Sequence, residues 1–98
     1  MTTNPSDIDV SDIKPAALLA ALYNRARAQG MGFFAAQPDM TEADAEAVLA
    51  KDPRGDFDYL HGRAMKVQIG EPVLDAQLYD RDNGRGAAQS VVDALRRT

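Results

Sequence analysis

Met65-Lys66-Val67-Gln68-Ile69-Gly70-Glu71-Pro72-Val73 holds the change of period from which the architecture follows. Met65, Val67 and Ile69 alternate with Lys66 and Gln68, a period of two that belongs to a half-buried strand. Strand-like character extends back to Phe57, Gly70 starts a connection through Glu71-Pro72, and Val73 to Tyr79 is a further extended stretch. The two stretches are expected to pair as a hairpin, with Pro72 leaving its limits open.

Upstream, the period is mostly helical. Pro15 suits a first helical turn, with Ser11 or Lys14 as the cap. Leu18, Leu22 and Ala26 form one ladder, Leu19 and Tyr23 its neighbour, with Arg25 and Arg27 on the opposite side. Gly30 is a natural left-handed terminator. Met31 to Ala36 reads as a short buried strand in which Gly32 marks a bulge or a close backbone approach. Thr41-Glu42-Ala43-Asp44 is a capping-box variant heading a helix that runs to about Lys51. Ala43, Ala47, Val48 and Leu49 give that helix a narrow apolar stripe, expected to lie on the sheet.

Downstream, Asp80-Arg81-Asp82-Asn83-Gly84 reads as a turn, and Gly86 to Arg97 as a closing helix. Its Ala88, Val91, Val92 and Leu95 face inward, and Arg96 and Arg97 suit its negative end. The expected order is α-β-α-β-β-α: an α+β domain over residues 11–98, a small sheet covered by helices, behind a flexible arm of residues 1–10.

The 98 residues allow one domain, and the 45% hydrophobic share is ordinary for a globular one. Such a chain buries roughly 60–65% of the surface its unfolded form exposes, enough for one modest core. The absence of cysteine excludes disulfides, thiol nucleophiles and thiolate metal sites, and a single histidine excludes a histidine cluster. Eleven basic and fifteen acidic residues give −4, the wrong sign for generic nucleic-acid binding. The longest apolar run, Ala16 to Tyr23, is far short of a membrane span, and the acidic start is unlike a secretory leader. The expectation is a soluble, cytoplasmic protein without cofactor or metal, and a homodimer is plausible on size.

Two segments offer chemistry. Asp80-x-Asp82-x-Gly84 begins like a calcium loop, but Arg85 and Val91 stand where Gly and Glu are required. A turn in which Asp82 or Asn83 caps the last helix is the plainer reading. The same corner, with Arg85 beside Gly84 and Gly86, puts free N–H groups at a helix start, where an anion is attracted. In the second segment Tyr59, His61 and Arg63 would share one strand face, with Lys66 on the other. An aromatic ring, an imidazole and a guanidinium together stack on a base or grip a phosphate. If Val73–Tyr79 folds back on Phe57–Ile69, Arg63 and Arg85 would meet one bound anion. Ser6, Ser11 and Ser90 lie in no nucleophile elbow, and His61 has only Asp58 as a nearby acidic partner, so an enzyme is a minor alternative.

The strings Leu22-Tyr23-Asn24, Gly30-Met31-Gly32-Phe33, Phe57 to Lys66 and Leu78 to Gly84 together resemble a group of short uncharacterised proteins of bacteria, phages and mobile elements. Small acidic proteins of that origin are often counter-defence factors, which the resemblance implies as an expectation. Physically, the same strings mix glycine with aromatic and polar residues, as a concave site does. Asn24, Gly32, Tyr59, His61, Arg63, Lys66, Asp80, Asp82, Asn83 and Arg85 are therefore the candidate ligand-binding residues. The first expectation is a non-catalytic protein sequestering a small anionic, nucleotide-like ligand. The alternative is a protein-protein inhibitor of a bacterial defence complex, working through acidic surface or exposed Phe33 and Phe34. A small enzyme using His61 is a third.

Overall fold

In the computed structural model, which describes residues 7–30, 36–51, 65–68 and 71–97, the first helix, α1, spans Pro15–Ala28. Lys14 is its N-cap with extended backbone and no side-chain cap bond, and Pro15 sits where its missing N–H costs nothing. Gly30 takes a left-handed φ of +73°, and its N–H reaches Arg27 O at 3.0 Å, closing the helix as expected. Leu18, Leu19, Leu22 and Ala26 are fully buried, so α1 is the spine of the core. Arg25 and Arg27 are not free on the outer side; both are half-buried. Arg27 Nε donates to Gln37 O, and its Nη1 lies 2.9 Å from Asp39 Oδ1.

The second helix, α2, spans Glu42–Lys51. The capping box is reciprocal: Asp44 N–H donates to Thr41 Oγ1, and Thr41 N–H donates to Asp44 Oδ2, both at 3.1 Å. Ala45 is buried, Val48 and Leu49 are half-buried, and Ala43 and Ala47 are exposed. This stripe packs against α1 rather than on the sheet. It is too narrow to cover a sheet face but wide enough to seat on one helix.

The sheet has three antiparallel strands in the order β1-β3-β2: β1 is Asp7–Asp9, β2 Met65–Gln68 and β3 Glu71–Asp75. A β2–β3 hairpin forms as expected, in the register Met65↔Leu74 to Gln68↔Glu71, but Glu71 and Pro72, expected in the connection, belong to the strand, and residues 57–64 of the expected first stretch lie outside the described residues. Pro72 is tolerated in the central strand for a local reason. Val10 N–H donates to Pro72 O at 3.4 Å, so residue 72 points its backbone groups toward β1. The missing proline N–H therefore falls opposite Val10, just past the end of β1.

Three expectations need correcting. The arm drawn over residues 1–10 includes β1, which pairs Asp7↔Asp75, Ile8↔Leu74 and Asp9↔Val73, and Val10 is fully buried. The extended stretch from Val73 stops at Asp75, where a helix, α3, begins and runs Ala76–Asn83. Asp75 switches the backbone: its carboxylate accepts from Leu78 N–H at 3.1 Å, an N-cap. The turn expected at Asp80–Gly84 is thus mostly helix, and only Gly84 lies beyond it. The strand expected at Met31–Ala36 lies outside the described residues, except for Ala36 in a turn.

The last helix, α4, spans Ala87–Arg96 with Ala87, Ala88, Val91 and Val92 buried and Leu95 half-buried, as its pattern required. Leu74 and Tyr79 complete the core, and Tyr79 Oη donates to Leu22 O at 2.9 Å, tying α3 to α1. The architecture is a small α+β domain. No helix among the described residues is long and apolar enough to cross a membrane.

Candidate functional site at the corner between α3 and α4

Four of the ten candidate ligand residues lie on Asp80 to Arg85, and the fold gives this segment a specific shape. Gly84 N–H donates to Asp80 O at 2.8 Å, and Ala87 N–H donates to Gly84 O at 3.1 Å. Gly84 (φ +102°) and Gly86 (φ +79°) adopt backbone that side-chain-bearing residues rarely take, which allows α3 to end and α4 to start within three residues. That tight corner returns the start of α4 to Asp80. Asp80 Oδ2 accepts from Gly86 N–H at 3.1 Å and Oδ1 accepts from Ala88 N–H at 2.8 Å.

The helix end expected to attract an external anion therefore holds an internal one. Asp80 is the cap, in place of Asp82 or Asn83. Asn83 is 7% exposed and turned inward, its Nδ2 donating to Tyr79 O at 3.1 Å and its Oδ1 enclosed without a hydrogen-bond partner. Arg25 Nε is likewise buried without a hydrogen-bond partner. Asp82 is half-buried, 3.9 Å from Arg81 Nε. Arg85 is exposed on the corner. Burial pushes the Tyr79 phenol well above the ordinary tyrosine range; the positive charge of Arg25 opposes the shift and Asp80 adds to it.

Asn24 is spent elsewhere. Its Nδ2 donates to Met40 O at 2.9 Å, and its Oδ1 accepts from Met40 N–H at 2.8 Å. This pair fixes the chain just before Thr41, so Asn24 positions α2 against α1. Lys66 lies on β2 opposite Val73. Gly32, Tyr59, His61 and Arg63 lie outside the described residues. The fold-back expected to bring Arg63 toward Arg85 is seen between 65–68 and 71–75, with residues 76–83 helical rather than strand, and Arg63 itself lies outside the described residues. Among the described residues, no group of three or more His, Asp or Glu is placed to hold a metal ion.

A second locality was not visible in the sequence. An open cleft of about 320 Å³ lies between the start of α1 and the end of α4, lined by Asp12, Ile13, Lys14, Ala17, Leu95 and Arg96. Lys14 Nζ is 2.8 Å from both Glu42 and Glu46, and these bonds hold its ammonium well above the usual lysine range. Arg96 clasps Asp12 through two hydrogen bonds of 3.0 and 3.1 Å and donates to Asp9 O at 3.1 Å. Hydrogen bonding to Arg96 holds the Asp12 carboxyl below the usual range, and the Ser11 N–H does the same for Asp9, whose Oδ1 it meets at 2.9 Å. Arg96 and Asp12 are 84 residues apart, a pairing that no local pattern announces.

No protein-family model, curated protein or solved structure matches this chain.

Proposed function

We propose that this chain is a non-catalytic binding protein whose partner is another protein. The observation that carries the reading is the Asp80 carboxylate seated on the Gly86 and Ala88 N–H groups. A phosphate approaching that helix end has to displace a tethered carboxylate and then meet its repulsion. Asn24 and Asn83 also direct their amides to the chain's own backbone. Asn24, Asp80 and Asn83 thus build the fold, and the chain carries a net charge of −4. Inhibition of a bacterial defence complex is the form of this function that the sequence resemblance favours. Sequestration of a nucleotide-like ligand rests on Tyr59, His61, Arg63, Lys66 and the exposed Arg85.

Calorimetry of the full chain against mono-, di- and cyclic nucleotides separates the two. No saturable heat is expected. Saturable binding that Arg63→Ala or Arg85→Ala abolishes would overturn the protein-partner reading. A protein recovered from host lysate by the immobilised chain should bind again as a purified pair, more weakly as salt rises.

A further inference from the structure

We infer that Asn83 is a modification site: it loses its side-chain amide by spontaneous ring closure when the corner between α3 and α4 opens, and the closed corner holds that reaction off. The inference is independent of any partner, because it concerns the lifetime of the folded chain itself.

The chemistry starts in the sequence. Asn83 is followed by Gly84, whereas Asn4 precedes Pro5 and Asn24 precedes Arg25. The Gly84 backbone nitrogen attacks the Asn83 side-chain carbonyl carbon, forming an N–Cγ bond. The bond from Cγ to Nδ2 breaks, and that nitrogen leaves as ammonia, taking up the proton lost from the Gly84 amide. A five-membered succinimide remains. Water then opens the ring at either carbonyl, which leaves aspartate or, with the main chain routed through the side chain, isoaspartate. Glycine favours the attack because it carries no side chain to obstruct it and its backbone turns freely. Pro5 has no N–H to give up, and Arg25 brings a bulky side chain. Asn83 is therefore the favoured position in the sequence.

The fold keeps the reacting atoms apart in three ways. Gly84 N–H, the nucleophile, is committed to Asp80 O at 2.8 Å. The leaving group is committed too, since Asn83 Nδ2 donates to Tyr79 O at 3.1 Å. Asn83 also belongs to α3 and is 7% exposed, so ring closure would have to turn its ψ out of the helical range at a site with little access to water.

The product does not fit the place it came from. A carboxylate at this position cannot donate to Tyr79 O and sets a second oxygen against it, while Asn83 Oδ1 is already enclosed without a hydrogen-bond partner. An isoaspartate lengthens the main chain where Gly84 and Gly86 have to turn α3 into α4 within three residues. An opening that ends in ring closure thus removes a molecule from the folded pool, and the reaction acts as a clock set by the local stability of the corner.

The test incubates the full chain at mildly alkaline pH, folded and in guanidinium chloride, and follows each asparagine by peptide mass spectrometry. The unfolded chain should convert Asn83 well ahead of Asn24, and the folded chain should convert it at least about ten-fold more slowly. Asp80→Ala, which uncaps the start of α4, should convert at a rate between the two. Asn83→Asp, which carries the product side chain, should melt below the parent. Equal rates for the folded and unfolded chain would overturn the inference, as would conversion of Asn24 ahead of Asn83. An Asp80→Ala rate no higher than the parent's would show that the corner does not gate the reaction. An Asn83→Asp protein that melts with the parent would show that the product is tolerated and no clock runs.

Discussion

Replacing Asp80 by Ala removes both acceptors from the Gly86 and Ala88 N–H groups and leaves the start of α4 without a cap. A lost N-cap costs about 0.5–2 kcal/mol, read as a lower urea midpoint, and Asp80→Asn, which keeps one acceptor, should lose less. The substitution also frees the helix end, so added phosphate should raise the melting temperature of Asp80→Ala and leave the parent unmoved. Stabilisation of the parent by phosphate would mean that Asp80 does not fill the site. Asn24 makes a comparable case, since its side chain satisfies a donor and an acceptor of buried Met40. Asn24→Ala should cost roughly 1–3 kcal/mol, and Asn24→Asp should fall short of full rescue because it cannot donate to Met40 O. A neutral result for both would mean the pair contributes nothing to docking α2.

Among the elements, β1 is short and acidic, yet Ile8 packs against the core and Val10 is completely buried. Deleting residues 1–10 should therefore lower the melting temperature sharply or abolish the cooperative transition; an unchanged melt would show β1 to be dispensable. The clasp between Arg96 and Asp12 adds a dependence on acidity. Hydrogen bonding to Arg96 lowers the Asp12 pKa on folding, so its contribution is complete above the ordinary carboxylate range and disappears as pH falls through the folded value. Between about pH 5 and pH 2, Asp12→Asn should lose stability less steeply than the parent. Parallel curves would mean that Asp12 gains nothing from folding. The elements with local signals were legible: Pro15 and Gly30 bracket α1, Thr41 and Asp44 start α2, the alternation from Met65 marks β2, and Val91, Val92 and Leu95 give α4 its face. Those decided by distant partners were not. Asp7–Asp9, with one isoleucine between two aspartates, has little strand propensity of its own and is paired along β3. In Val73–Tyr79 the β-favouring residues mask the Asp75 cap, and the inward pair Tyr79 and Asn83, four apart, is the helical signal that was present and outweighed. Of the candidate site, the corner was recognised as a helix start needing an anion. Asp80, rather than a ligand, supplies it because the glycine corner brings α4 back to its carboxylate.

At the scale of the whole molecule, Tyr79 joins what the chain order separates. It follows the hairpin, is completely buried, and reaches across 57 residues to the Leu22 carbonyl on the spine helix. Its ring supplies volume that smaller core residues such as Ala26, Ala87 and Ala88 do not. The hydroxyl and the ring can be weighed separately. Leu22 lies within α1, so losing the hydroxyl deprives its carbonyl of a second partner, and Tyr79→Phe should cost about 0.5–1.5 kcal/mol. Tyr79→Ala opens a cavity in the core and should cost about 3–5 kcal/mol. A domain of this size holds only roughly 5–15 kcal/mol in total, so the alanine variant should be marginal at 25 °C while the phenylalanine variant melts a few degrees early. Equal losses for the two would place the stabilisation in the hydroxyl alone and the core elsewhere. A small loss for both would mean that Tyr79 contributes little to holding α3 on α1.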